Sequence, residues 1–289
     1  MMVIFNPVAG RRRGGLLWKV LDVLAASGMR FDLAETRRAG HARELSRDAV
    51  SRGEILVVAA GGDGTVAEVA SGLMGSDACL GIIPLGTANV LAHELALPFA
   101  PHAVAAALAF GRTKRLWPGI ATSADGTRLF VQMLGVGFDA QVVANLPFPL
   151  KKRLGKSAYV LQALRELPRY RFPAIELRVD EIETRAASVI ITKGRFYGGR
   201  FRLTTGAAPG EPGFSVVLFD RSGPAATLMY GAALPVNLLG RAPGVRHLRG
   251  HRIVFPGTQP VATQADGDAA GIAPLVVEDA PGPIQIVTG

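Results

Sequence analysis

Apolar positions in the first part of the chain come in two alternating textures. Ile55 to Ala60 is a short unbroken apolar run that suits a strand buried on both faces of a parallel sheet, Cys79 to Ile83 reads as another buried strand, and Val3 to Phe5 and Phe31 to Thr36 read as further strands. Between them lie stretches of helical spacing: Leu16, Leu17, Val20, Leu21, Val23 and Leu24, then His41 to Arg52, Val66 to Met74 and Val90 to Leu95. Strands alternating with helices predict an open, doubly wound α/β domain over residues 1–115.

From about Leu116 the texture changes. Short strand-like segments at Leu129 to Gly135, Ile175 to Val179, Ser188 to Thr192, Ser215 to Phe219, Arg252 to Phe255, Leu275 to Val277 and Ile284 to Val287 are separated by Gly/Pro turns. They predict a β-sandwich-like second domain over 116–280, with residues 281–289 packing back on the first domain. One helical insertion interrupts it. The basic run from Lys151 to Lys156 leads into Ser157 to Leu167, whose expected apolar side is Tyr159, Leu161, Ala163 and Leu164.

Length and charge narrow the class. At 289 residues the chain can bury two cores, and its single cysteine, Cys79, excludes an intramolecular disulfide and reads as a small buried hydrophobe. No apolar run approaches the ~20 residues of a membrane span, and Val3 to Pro7 follows the start without a charged and apolar leader, so the expected compartment is the cytoplasm. A net charge of +9 favours anionic partners. No RNA-binding aromatic signature, zinc spacing or repeat is present, and no nucleic-acid partner is expected.

The candidate chemistry lies where the strands end. Ile55 to Ala60 stops at Gly61-Gly62-Asp63-Gly64-Thr65, where glycines able to take positive φ, ahead of a helix starting near Thr65, make a phosphate cradle containing a carboxylate. Val3 to Phe5 ends in Asn6-Pro7-Val8-Ala9-Gly10 and the basic Arg11-Arg12-Arg13-Gly14-Gly15, and Cys79 to Ile83 ends in Pro84-Leu85-Gly86-Thr87-Ala88-Asn89. These polar turns are expected to line one crevice. His41 reads as a cap or loop residue.

With Asn6-Pro7-x-x-Gly10, Gly61 to Thr65 and Pro84-x-Gly86-Thr87-x-Asn89 in this order, the chain resembles the diacylglycerol/lipid kinase family, most of all its soluble bacterial members. The likeness continues through Thr36 with Gly40-His41-Ala42, Gly135 to Ala140, Lys156-x-x-Tyr159, Gly198-Gly199 and Asp266-Gly267-Asp268. The resemblance implies an ATP-binding domain like those of phosphofructokinases and NAD kinases, a β-rich lipid-substrate domain, and an active site in the cleft between them. It places ATP on Asn6, Pro7, Gly10, Thr36, Gly61, Gly62, Asp63, Gly64, Thr65, Glu68, Gly86, Thr87 and Asn89. It gives Mg2+, directly or through water, to Asp63 and Asp139, and the role of base toward a lipid hydroxyl to Asp266.

Three positions depart from the family's pattern. Val90 follows Asn89 where diacylglycerol-type members usually have Asp, and Glu94, one turn on, could substitute only if it faces the cleft. Asp268 stands where Glu is usual. The structural metal described in some members needs an Asp near Pro209 to Gly213, where this chain has Glu211 and Pro212, and that metal is not expected here.

The sequence therefore supports an ATP- and Mg2+-dependent kinase of a neutral lipid, diacylglycerol or a sphingoid base, working peripherally at the inner face of the membrane. Leu146 to Leu150 and Lys151 to Lys156 are expected near the anionic bilayer. The alternatives are a soluble-substrate, NAD kinase-like enzyme, disfavoured by the missing Asn-Glu after the Gly61 to Thr65 loop, and a nucleotide- or lipid-binding homologue without activity. Oligomeric state is left open, a homodimer included.

Overall fold

The computed structural model describes residues 1–9, 14–257 and 260–289. The chain divides into two compact units, Met1–Pro118 with Pro281–Gly289, and Gly119–Ala280.

The first unit begins β1 (Met2–Phe5), α1 (Gly14–Ala26), β2 (Asp32–Glu35), α2 (His41–Ser51), β3 (Leu56–Gly61) and α3 (Asp63–Leu73). It continues β4 (Cys79–Pro84), α4 (Val90–Glu94), α5 (Pro101–Phe110) and β5 (Arg112–Leu116). β2, β1, β3 and β4 are neighbours in parallel register. Val3, Val58, Ala60 and Ile83 cluster with Leu17, Val20, Leu21 and Leu24 of α1 and with Val104, Ala105 and Leu108 of α5. Each such leucine contributes roughly 1.5–3 kcal/mol by leaving water. α2 and α3 pack against each other, and α3 lies along β3. The strand expected from Phe31 to Thr36 is shorter, and Thr36 lies just past its end, its N–H donating to the Phe5 carbonyl at 2.8 Å. α5 is a helix the periodicity did not single out, because its alanine-rich sequence has no polar stripe.

The second unit opens with β6 (Gly119–Ser123), β7 (Gly126–Phe130), β8 (Met133–Gly137), α6 (Phe138–Ala144), α7 (Phe148–Leu154) and α8 (Lys156–Glu166). There follow β9 (Ile175–Val179), β10 (Ile182–Ala186), β11 (Ser188–Thr192), β12 (Phe196–Tyr197), β13 (Phe201–Arg202), β14 (Phe214–Phe219) and α9 (Pro224–Ala233). β15 (Val245–Gly250), β16 (Arg252–Phe255), β17 (Ala262–Ala265), β18 (Asp268–Ile272) and β19 (Leu275–Asp279) complete it. Two six-stranded sheets, β10-β9-β16-β19-β6-β7 and β15-β14-β11-β8-β17-β18, share one core. Leu134, Val136, Val216 and Leu218 of the second sheet meet Leu177, Ile253 and Val277 of the first. This is the expected sandwich.

The last strand, β20 (Ile284–Thr288), lies in the first unit's sheet, parallel to β4 and antiparallel to β5. Two expectations are corrected in the second unit. The run Leu129 to Gly135 is not one strand: β7 ends at Phe130 and β8 starts at Met133. The N–H groups between them are taken by a side chain, Asp266, described below. α8 buries Ala158, Gln162 and Glu166, and leaves Leu164 of the expected apolar side exposed together with Val160. The buried polar residues satisfy one another, Glu166 accepting from Gln162 Nε2 at 2.8 Å and from Asn145 Nδ2 at 3.1 Å.

Candidate active site

In the first unit the expected residues gather at the C-terminal ends of β1, β3 and β4. Asn6 Nδ2 donates to Thr65 Oγ1 at 2.9 Å, while its Oδ1 accepts the Val8 N–H at 3.1 Å. Pro7 lies in this turn. Gly10, with Arg11 to Arg13, lies outside the described residues. α3 starts at Asp63, two residues before the expected start, with Gly62 in extended conformation at its N-cap. None of Gly61, Gly62, Gly64 and Gly86 takes a positive φ, contrary to expectation. Close approach explains two of them. A Cβ on Gly86 would fall 2.5 Å from the Cα of Gly62, and one on Gly61 would fall 2.5 Å from Thr65 Oγ1. The β3–α3 and β4–α4 turns therefore meet backbone to backbone.

Asp63 sits at this meeting. Its Oδ1 accepts the Leu91 N–H at 3.2 Å, so the carboxylate of α3's first residue also holds the start of α4. Burial pushes its pKa up to about 6, against the pull of main-chain hydrogen bonds from Leu91 and Val90. A carboxylate whose charge is disfavoured by its surroundings is a suitable partner for a cation.

Other expected nucleotide residues have structural partners. Glu68 accepts the N–H groups of Gly40 and Ala42 at 2.8 and 3.1 Å, clamping the start of α2 to α3. Asn89, buried with φ 47°, donates to the carbonyls of Pro84 and Gly86 at 3.3 and 2.8 Å and so shapes its own turn. Thr87 is exposed beside it, while Val90 and Glu94 are buried in α4. His41 opens α2, its Nδ1 accepting the Arg37 N–H at 3.1 Å.

The second unit holds a different cluster. Asp139, in the first turn of α6, accepts from Tyr197 Oη through Oδ1 and from Gln264 Nε2 at 2.9 Å through Oδ2. Gln264 Oε1 in turn accepts the Gly267 N–H at 2.9 Å. A Cβ on Gly135 would fall 2.5 Å from Asp139 Oδ2 and 2.8 Å from Gln264 Nε2, so only glycine lets this pair lie across β8. Burial raises the Asp139 pKa, with the Tyr197 and Gln264 hydrogen bonds pulling it back. Burial and the neighbouring Asp139 charge lift Tyr197 well above its ordinary value and keep it a proton donor. Sequence reading missed Tyr197 and Gln264; the only signal for the first was its place directly before Gly198-Gly199.

Asp266 and Gly267 both have positive φ, 50° and 84°, in the two-residue turn between β17 and β18 that Asp-Gly favours. The turn leaves the Asp266 side chain buried, accepting the N–H groups of Val131, Gln132 and Met133 at 2.7, 2.9 and 2.9 Å. Three main-chain donors fix this carboxylate in one orientation. Next to it, Lys151 pairs with Asp268 at 3.1 Å and lies 5.8 Å from the Tyr159 ring centroid. Burial opposes the Lys151 charge, but Asp268 and Tyr159 outweigh it and its pKa rises. Lys151 is thus tied to Asp268.

Among the described residues no three or more His, Cys, Asp or Glu side chains converge as a cation cage. A divalent cation here would have few protein ligands, as magnesium bound to phosphates usually has. Asp63 and Asp139 each fit that limited role by their chemistry.

The first unit thus gathers its glycine turns and the start of α3 at the strand ends, and the second carries buried carboxylates on a β-sandwich, the two parts that known families can be matched to. Residues 1–119 match the diacylglycerol kinase catalytic domain, and residues 132–288 match the YegS C-terminal NAD kinase beta sandwich-like domain. The chain belongs to this diacylglycerol/lipid kinase family. It is 36% identical over 157 residues to a probable lipid kinase YegS-like protein of Pseudomonas putida, the alignment spanning 54% of this chain and about half, 52%, of that relative. It is 26% identical over 280 residues to a diacylglycerol kinase of Bacillus subtilis, covering 94% of this chain and 90% of that one. The fold matches a crystal structure of a putative diacylglycerol kinase from Bacillus anthracis with a TM-score of 0.81 at 21% identity, covering 100% of this chain and 94% of the other.

Proposed function

We propose that the chain transfers the terminal phosphate of ATP to the hydroxyl of a neutral lipid, diacylglycerol or a sphingoid base. The observation that carries this reading is the meeting of the β3–α3 and β4–α4 turns at Gly62 and Gly86, with Asp63 opening α3. First-turn N–H groups have no partner within their helix and favour phosphate. Magnesium, when bound, would neutralise charge on the transferring group, and Asp63 and Asp139 are its candidate oxygen ligands. Asn6 and Thr65 orient the first turn, Glu68 and Asn89 hold the turns in shape, and Thr36, Thr87 and Gly64 are candidate nucleotide contacts. Tyr197 and Gln264 fix the orientation of Asp139. The role of Asp266 toward the lipid hydroxyl rests on the resemblance, and its three N–H partners supply the rigidity such a role needs.

No helix among the described residues is long and apolar enough to cross a membrane. Access to the lipid is proposed through exposed Leu154, Val160 and Leu164, with cationic Arg153, Lys156 and Arg165 beside them suited to an anionic bilayer. Incubation with Mg2+, ATP and a total lipid extract tests the reading: a new phospholipid is expected, and full transfer by an Asp63→Ala variant would refute it. NAD in a parallel reaction tests the soluble-acceptor alternative.

A further inference from the structure

Outside the candidate active site, the second unit holds a fully buried lysine. Lys193 follows β11, and its ammonium makes three hydrogen bonds: to the carbonyls of Glu211 and Gly213 at 3.0 and 2.9 Å, and to Asp279 Oδ1 at 2.8 Å. All three N–H donors are satisfied. The other Asp279 oxygen accepts the Gly213 N–H at 2.7 Å and lies 3.2 Å from His251 Nδ1. The Phe214 ring covers the group, with its centroid 4.6 Å from Nζ.

The acceptors are unusual for a lysine partner set. Two main-chain carbonyls of one turn and one carboxylate are the oxygen ligands that hard divalent cations take. They come from the segment where relatives with a structural metal need an Asp, and where Glu211 here is exposed and contributes only its carbonyl. The residues present do not fit a metal, because a cation of the chain itself already occupies the oxygens.

We propose that Lys193 is a built-in cation: its ammonium fills a divalent-cation cage formed by Glu211, Gly213 and Asp279, so the β-sandwich of this chain closes its 208–213 turn without a structural metal. The ammonium neutralises Asp279 and gathers the two carbonyls, as the metal would. Removing it leaves the Glu211 and Gly213 carbonyls and the half-buried Asp279 carboxylate without their shared donor, an arrangement that needs a cation.

The test uses the full chain and thermal unfolding, and needs no kinase activity. In an Asp63→Ala background, which lacks a candidate magnesium ligand of the active site, the chain that keeps Lys193 is expected to melt at the same temperature after EDTA treatment and with millimolar Ca2+ or Mg2+. A stabilisation by either ion that EDTA reverses, with that ion bound stoichiometrically and lost on Asp279→Asn, would overturn the proposal. In the same background Lys193→Ala is expected to melt about 10 °C lower, since it strands a buried charge, and to recover most of that loss with Ca2+ or Mg2+. Lys193→Met, which fills the apolar part of the space, is expected to be destabilised without such recovery. Failure of both ions to stabilise a folded Lys193→Ala protein would also overturn it. If that variant does not fold, the EDTA and metal-binding measurements on the Asp63→Ala chain that keeps Lys193 decide alone.

Discussion

Asp63 combines two demands that conflict. Its carboxylate caps the start of α4, yet burial lifts its pKa to about 6 from an ordinary 3.8. The folded state therefore binds more protons than the unfolded state between these values. Stability from this group is fully present below about pH 4 and is lost as pH rises through about 6, at most about 3 kcal/mol. In EDTA, Asp63→Asn should unfold at higher denaturant than the unaltered protein at pH 7.5, and at nearly the same concentration at pH 4. The same variant should lose phosphate transfer by about 100-fold or more, a trade between stability and activity. Tyr197 acts on Asp139 and is a positioning residue. Tyr197→Phe removes a hydrogen bond that lowers the Asp139 pKa, so the acid limb of the pH–rate profile should move to higher pH, with kcat falling and the KM for ATP unchanged. A lower kcat with an unmoved acid limb would leave Tyr197 a merely structural role.

At the scale of elements, Glu68 joins α3 to the start of α2 by accepting two N–H groups. Glu68→Ala should cost roughly 1–2 kcal/mol in chemical denaturation, as loss of a helix cap does. On α8, changing Val160 and Leu164 to Ser should weaken sedimentation with anionic vesicles at least about fivefold while leaving the melting temperature nearly unchanged, because both side chains are exposed. These elements also show what the sequence made legible. β3 and β4 were readable because a strand buried on both faces must be an unbroken apolar run. β5 was not, since Arg112–Leu116 is polar and mostly exposed, and its pairing with β20 is settled by residues about 170 positions away. The Asp266–Gly267 turn could have been read from its dipeptide. The turn glycines were found, but their reason was misjudged: contact between Gly62 and Gly86 is a property of two turns brought together, which no local pattern contains. The α8 stripe failed similarly, because its buried side is a satisfied polar network.

At the scale of the molecule, the α/β unit gathers its glycine turns and the start of α3 at the strand ends, and the sandwich orients Asp139 and Asp266 by hydrogen bonds, each unit held by its own core. A net charge of +9 suits both a nucleotide and an anionic membrane surface. Acceptor choice depends on the shape of the lipid's binding surface, which neither motif nor family membership specifies. The most direct measurement is transfer of label from γ-phosphate-labelled ATP to a total lipid extract in mixed micelles, with and without Asp63→Ala. A labelled, organic-phase phospholipid that requires both Mg2+ and Asp63 is expected. Label found only in phosphorylated NAD, or in no acceptor at all while ATP remains bound, would contradict the assignment as a lipid kinase.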